Sequence, residues 1–482
     1  MKTMLALSVS AVTLIGCSHP SQIQGIDGLA AQVPASSLGF VGVDAREKMP
    51  SDFIQTLEKK KDDPRLSGQL ENYKRQLGHD PITALKAFEP TAWGVVVDAN
   101  GKKDYAMVAG ILVKDRKLAE TCLAGTLKNE TPTKAGTIDT YKNAGVSTCF
   151  KDPFLILSNK AEAIKAVTER QGPSLADDPG YKSAHSQMFQ GQSLAFVYSA
   201  PPVAPKTFHY FAGGVGKQSP YRPVAFLSID ASAKNLLTPP PAASANPVPP
   251  AWNFYLALQL RYPLEAIQQA MPKALEEPGN GLKQVGTSPD QLNQAFEGDL
   301  ALGLDLDQYF AKGVPNGPPN GLLVWGLRKP AEFEAFWKGF CRSNGFKTSS
   351  AKLGNYQVDR FAGMPFLMLA RQGKQALLVL AQQPDDLLKS LQPKAQSADG
   401  TIFSLKYDLN NTRQQLAKSG LLGLSPDLAP LQAQMQSSSP EMWQGDMTVK
   451  VEKDGIRAEG NPVTMLIAGI VKMAILSEFL GK

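Results

Sequence analysis

Apolar and polar positions alternate with a period of two in several short stretches of the chain. Trp252, Phe254, Leu256, Leu258 and Leu260 alternate with Asn253, Tyr255, Ala257, Gln259 and Arg261. The same rhythm runs through Phe403, Leu405, Tyr407 and Leu409, and through Met447, Val449 and Val451. Successive side chains of a strand point to opposite faces, so this spacing predicts antiparallel strands with one covered and one wet face. Other stretches carry the longer period of an amphipathic helix. Leu118, Cys122, Leu123 and Leu127 fall on one side of a helix that Asp115 would cap. Phe333, Phe336, Trp337 and Phe340 do the same after Pro330, whose fixed φ suits a first helical turn.

These patterns occur twice. Gly78-His79-Asp80-Pro81 leads through Ala87-Phe88-Glu89 into the apolar run Trp93 to Val97, and Gly286-Thr287-Ser288-Pro289 leads through Ala295-Phe296-Glu297 into Leu300 to Leu304. The interval from glycine to Ala-Phe-Glu is the same in both. Leu155 to Ser158 before a helix parallels Leu378 to Ala381 before Pro384-Asp385-Asp386, and strand-like Val224 to Asp230 parallels Met447 to Glu452. The reading is two copies of one α+β domain, at 34–237 and 252–460, each a mainly antiparallel sheet with helices packed on one face. Between them, residues 238–251 carry six prolines, a composition that favours an extended spacer over a sheet ladder.

The two ends differ from this body. After Met1-Lys2, the apolar run Met4 to Ile15 is too short to span a bilayer and has the layout of an export signal, assigned to residues 1–16. Leu14-Ile15-Gly16-Cys17 resembles a bacterial lipobox, in which the cysteine thiol receives a diacylglyceryl group before cleavage in front of it. An ordinary signal peptide with a coincidental cysteine is the alternative. Ser18, where an aspartate would retain a lipoprotein on the inner membrane, resembles the choice for outer-membrane sorting. On this reading residues 17–33 form a tether, and the protein faces the periplasm from an envelope membrane. At the other end, 461–482 reads as an apolar helix with Leu466, Ile467, Ile470, Val471, Ala474 and Ile475 in one stripe. It either closes the second domain or meets a membrane or a second copy.

Composition narrows the chemistry. Lysines and arginines exceed acids by 50 − 44 = 6 over 482 residues, too thin a surplus to point to nucleic acid. No HExxH, CxxC or GxSxG motif occurs, and the four histidines have no second ligand at helical spacing, so no metal or cofactor is expected. Gly213 to Gln218, GGVGKQ, lacks the first glycine and the Ser/Thr of a phosphate loop and is read as a plain loop. Asp305-Leu306-Asp307 lacks the glycine and terminal glutamate of a calcium loop and is read as a strand end with solvated carboxylates. His79 and His185 are read as structural. Beyond Cys17, Cys122 and Cys149 are candidates for a disulfide in an oxidising compartment, with Cys341 a buried thiol. Against that pair, Cys149 lies on the strand face opposite Val146, Thr148 and Phe150. Phe208-His209-Tyr210-Phe211 is read as packing against its own domain, with a binding surface as the alternative.

Pro34-Ala35-Ser36-Ser37-Leu38 opening a strand, Leu77-Gly78 with Asp80-Pro81 before a helix, and Leu175-Ala176-Asp177-Asp178-Pro179 with Tyr181 together resemble a bacterial family. It is catalogued as domain of unknown function 3352. The resemblance covers nearly the whole chain after the signal and implies an exported or membrane-tethered protein, with no catalytic residues to carry over. The sequence therefore leads to a lipid-anchored envelope protein acting as a non-catalytic binding or structural module. A carrier for a lipid or other apolar ligand is the second reading, and a hydrolase with an unlocated site the third.

Overall fold

The computed structural model describes residues 25–48, 53–101, 103–128, 130–189, 193–200, 208–217, 222–230, 246–259, 288–310, 317–392, 400–418 and 439–461. The signal, Cys17, residues 238–245 of the proline-rich stretch and all but Asn461 of the C-terminal apolar segment lie outside them. The chain divides between Ser228 and Ile229 into two units. Each mixes helices with antiparallel sheet, as the α+β reading expects.

The first unit opens with helix α1 (Gly25–Ala30) and strand β1 (Gly39–Asp44), followed by α2 (Phe53–Lys60), α3 (Pro64–Leu77) and α4 (Pro81–Ala87). Strands β2 (Phe88–Asp98) and β3 (Tyr105–Val113) lead through α5 (Arg116–Thr126) to β4 (Thr133–Ala135), β5 (Ile138–Tyr141), β6 (Val146–Lys151) and β7 (Phe154–Ser158). After α6 (Ala161–Thr168) and α7 (Pro179–Phe189) come β8 (Ser193–Ser199), β9 (Phe208–Gly216) and β10 (Pro223–Ile229). The strands lie in the order β10-β9-β8-β1-β2-β3-β7-β6-β5-β4, antiparallel from β9 onwards.

Local chemistry sets the helix starts. The Asp80 carboxylate accepts from the Ile82 N–H at 3.2 Å, with Pro81 in the first turn of α4. Asp115 accepts from the Leu118 N–H at 3.0 Å and starts α5 as the sequence predicts. Gly78 joins the two helices. It sits at φ +72°, and a Cβ there would lie 2.2 Å from the Gly125 carbonyl oxygen, so only glycine allows this approach.

The second unit begins at β11 (Phe254–Gln259), then α8 (Pro289–Ala295), β12 (Phe296–Asp305), α9 (Leu306–Phe310) and β13 (Asn320–Leu327). Helix α10 (Pro330–Ser343) precedes β14 (Thr348–Leu353), β15 (Tyr356–Phe361), β16 (Met364–Gln372) and β17 (Gln375–Leu380). The chain continues through α11 (Pro384–Ser390), β18 (Thr401–Asp408), α12 (Asn410–Lys418), β19 (Gln444–Glu452) and β20 (Gly455–Gly460). Strand order is β20-β19-β18-β11-β12-β13-β17-β16-β15-β14, antiparallel throughout. Ser288 and Gln291 form a capping box at α8, and Pro330 occupies the first turn of α10.

Three expectations are corrected. Helices cover both faces of each sheet, not one. Register places Phe150, Leu155 and Ile111 on one face of the first sheet and Cys149, Ile156 and Gly110 on the other. Ala119 and Cys122 of α5 pack with Phe150 and Val113, whereas Ala163, Ile164 and Val167 of α6 pack with Val108 and Ile156. In the second unit α10 covers Leu369 and Ala376, and Leu388 of α11 packs with Met368 and Val379. The clue is the unbroken apolar run Phe154 to Leu157, buried at every position, as a strand covered on both sides requires. Next, residues 25–33 are not tether. Ile26, Leu29, Ala30 and Val33 are buried in the first core, and the Gly25 N–H donates to the Asp44 carboxylate at 3.0 Å. Likewise residues 246–251 are not spacer, since Val248 enters the second core and Asn246 donates to the Tyr255 hydroxyl at 2.8 Å.

Candidate functional site

The densest polar cluster in the first unit converges on His185. Tyr181 and His185 lie one turn apart on the buried side of α7. The imidazole Nδ1 is 2.7 Å from Asp27 Oδ1 on α1, and Nε2 is 2.6 Å from Ser193 Oγ at the start of β8. The Tyr181 hydroxyl donates to the same Asp27 oxygen at 3.0 Å. The ring Nδ1–H donates to the carboxylate, and Nε2 shares a hydrogen bond with the serine hydroxyl. The hydrogen bond from His185 holds the Asp27 carboxyl below the usual carboxylate range, against partial burial and with help from the histidine charge and Tyr181. Burial, and then the charge of Asp27, push the Tyr181 phenol far up, so it stays protonated as a donor. Phe196 lies against the imidazole at 4.7 Å between centroids, and Phe40 meets Tyr181 edge-on at 5.9 Å.

Carboxylate, imidazole and hydroxyl thus stand in the order of a hydrolase relay. Access runs the wrong way for that chemistry. Ser193 is 1% exposed and His185 2%, while the Asp27 side chain is 61% exposed. A nucleophile must reach its substrate, and here the hydroxyl is the closed end. What the chain of bonds does is join three elements, α1, α7 and β8, through one ring. Aspartate and histidine stand 158 positions apart, so no local motif announces them.

The other residues singled out in the sequence are dispersed. Cys122, Cys149 and Cys341 are all free and buried, so the expected Cys122–Cys149 bridge is absent. Cys122 packs with Ala87 and Ala119, and Cys149 belongs to the core on the opposite face, within 3.7 Å of Thr137 Oγ1. A disulfide cannot pass through the sheet. Burial and then Asp80 push the Cys122 thiol up to about 11, the reverse of a nucleophilic cysteine. His79 Nδ1 lies 3.2 Å from the Thr126 hydroxyl at the end of α5. Gly213 to Gly216 of GGVGKQ form part of β9 rather than a loop, and Lys217 pairs with Glu47 at 2.9 Å. Asp305 is buried, not solvated; Asp307 accepts from Thr412 at 2.6 Å and from Asn253 at 3.1 Å. In the Phe208–Phe211 stretch Tyr210 packs against the core and His209 is exposed.

No group of metal-type ligands converges among the described residues. A cavity of about 40 Å³, lined by Gln32, Trp93, Lys151, Phe154 and Val167 among others, is far below the roughly 300 Å³ a ligand pocket needs. No described helix is long and apolar enough to cross a membrane.

Around β1 and β11 the two sheets place their largest apolar side chains differently. In the first unit Phe40, Phe196, Tyr198 and Trp93 lie on the face shared with α1 and α7. The other face bears the row Gly213, Val197, Val41, Gly94, Ala109 and Leu157 across six strands, with Val41 45% and Val197 36% exposed. In the second unit the corresponding row is Met447, Leu405, Leu256, Leu302, Leu323 and Leu378, all half-buried, on the face shared with α10. Above and below it stand Phe254, Leu304 and Tyr407, and Leu258, Leu300, Phe403 and Val449. The sequence shows this alternation plainly but does not say how much of it is covered.

No protein-family model matches the chain, and no curated protein does. A solved structure titled "Structure of crystal form I of TP0453" is similar to 45% of this chain and 85% of its own, at 7% identity and a TM-score of 0.25.

Proposed function

We propose that this protein is a lipid-anchored, non-catalytic module of the bacterial cell envelope, built from two copies of one α+β domain. The observation that carries the anchor is the lipobox-like Leu14-Ile15-Gly16-Cys17, seven residues before the fold starts at Gly25. The resemblance to domain of unknown function 3352 supports the same address. Duplication is supported by strand order. Counted from its own first strand, each unit has the order 10-9-8-1-2-3-7-6-5-4, with α4 and α5 in the places of α8 and α10. The interval from Gly78 to Ala87 and from Gly286 to Ala295 is likewise equal.

The closed serine of the relay-like cluster weighs against hydrolysis at that cluster. The apolar row of the second unit favours a carrier as the second reading. Mass spectrometry of the protein from its native membrane tests the anchor: an acylated N-terminal Cys17 is the expected result. An unmodified thiol, or cleavage elsewhere, overturns it. Identification of what co-purifies from detergent-extracted membranes separates the two readings, protein for the module and lipid for the carrier.

A further inference from the structure

We propose that the β14 edge of the second unit's sheet is a docking strip that takes an extended, acidic segment of a partner protein as an added strand. The proposal rests on the reading of this protein as a binding module and gives that module a surface. It is independent of the anchor at Cys17.

Three observations carry it. First, the edge is open. β14 pairs with β15 and with no other strand among the described residues. Every residue from Arg342 to Lys352 is exposed. The Ala362 N–H donates to the Lys347 carbonyl at 2.8 Å, and the register runs on from there without a bulge. Bonded and unbonded pairs alternate in an antiparallel ladder, so Thr348, Ser350 and Lys352 turn their backbone N–H and C=O groups outward. A row of this kind is a template for another strand. Second, the matching edge of the first unit is blunted. There β4 has three residues, Pro132 stands before it, and Lys134 lies 3.9 Å from Asp139. β14 has six residues, and no proline occurs between Pro330 and Pro365.

Third, the charge has one sign. Arg342, Lys347 and Lys352 stand along the edge, with no acidic residue from 342 to 353. None of the three has an ion-pair partner among the described residues, because Asp359 and Glu334 are held by Arg371 at 2.8 and 3.0 Å and Asp385 by Arg360 at 2.7 Å. Lys347 and Lys352 differ in parity and so flank the edge from both faces of the strand. A second copy would bring its own cations to this edge, so the strip selects an acidic partner over itself. Phe346, 37% exposed and 5.8 Å from the Phe361 ring, offers an apolar contact beside the charges.

The test uses full-length protein in detergent and a fluorescein-labelled octapeptide of alternating glutamate and valine, with its lysine–valine counterpart as control. Expected is saturable binding of the glutamate peptide by fluorescence anisotropy, with the lysine peptide about tenfold weaker or worse. Thr348→Pro removes one outward N–H without touching a bond to β15, and should weaken binding about tenfold with unchanged far-ultraviolet circular dichroism. Lys347→Glu with Lys352→Glu alters only exposed side chains, so it stays decisive if the proline variant unfolds; it should reverse the preference in favour of the lysine peptide. No saturable binding, or binding of the glutamate peptide that both variants leave unchanged, overturns the proposal. So does a dimer that Thr348→Pro dissociates in sedimentation, which would give the edge to a second copy. Protein partners that co-purify from native membranes equally with the parent and with Thr348→Pro would discard this edge and leave the module reading standing.

Discussion

Strands β8 and β1 of the first unit and β18 and β11 of the second stand at matching places in their sheets and bury the same face most deeply, yet the second pair carries most of its apolar bulk on the other one. Phe40, Phe196 and Tyr198 are buried in the first, while Val41 and Val197 look outward. In the second, Leu256, Phe254 and Leu405 take the outward-looking positions, Lys406 and Ser404 take those of Tyr198 and Phe196, and Tyr255 keeps an aromatic ring at the place of Phe40. A strand's period is two, so bulk can move to the other face at alternate positions without moving the backbone. The cause lies in the neighbours. In the first unit α1 and α7 supply Ile26, Leu29, Tyr181 and Met188 to one face, so the aromatics point there. In the second, Val248 and Trp252 pack on the corresponding face beside Ala257, and the bulk moves across.

The largest expected effect comes from a second exchange of volume. Trp93 faces Gly110 across β2 and β3, and a Cβ on Gly110 would lie 2.2 Å from the indole. At the matching place the second unit has Ala301 against Val324. Trp93→Ala should cost about 3–5 kcal/mol through the cavity it leaves. Gly110→Val should cost roughly 3 kcal/mol through overpacking. The double variant, which copies the second unit's pair, should be more stable than the sum by at least about 1 kcal/mol. Urea unfolding of all four proteins measures this, and strict additivity would sink the comparison.

Next in size, Leu256→Asp should destabilise the second unit by about 2–4 kcal/mol, whereas Val41→Asp should stay within about 1 kcal/mol. Equal losses in chemical denaturation would show that the two faces are equally covered.

A smaller effect belongs to the first unit alone. The folded Asp27 carboxyl titrates below its ordinary 3.8, so its ionised form stabilises the fold above that pH, and this contribution is lost as pH falls through the folded value. Asp27→Asn should therefore cost about 1 kcal/mol at neutral pH, discounted for the solvent around the carboxylate. The gap from the parent protein should close below about pH 4. A gap that persists in acid would mean the loss is steric. The smallest expected signal is chemical: Cys122, Cys149 and Cys341 should resist a thiol reagent in the folded protein and all react once it is unfolded. Rapid native labelling of Cys122 would contradict its burial.

Elements were legible in the sequence where one residue acts on its own neighbours. Asp115, Pro330, the Gly78 turn and the alternation from Phe254 to Leu258 all lead to the elements found. Packing was legible only in part. Helices on both faces went unseen because the run Phe154 to Leu157 marks a strand covered twice but not what covers it. Helix α1 reads as tether in the sequence because six residues are too few to display a period. The Asp27–His185–Ser193 chain depends on three elements meeting, and nothing near His185 in sequence reveals its carboxylate. The objection to the Cys122–Cys149 bridge, that Cys149 points away from Phe150, was already present in strand parity.

The buried position of α1 has a mechanical consequence. If Cys17 is held in a bilayer, as proposed, the seven residues before Gly25 give a leash of at most about 25 Å when taut. Any load beyond that extension falls on Ile26 and Leu29 in their sockets and on the Asp27–His185 pair behind them. Pulling the molecule from its surface would then begin to unzip the first unit, so attachment and folding would fail together under tension.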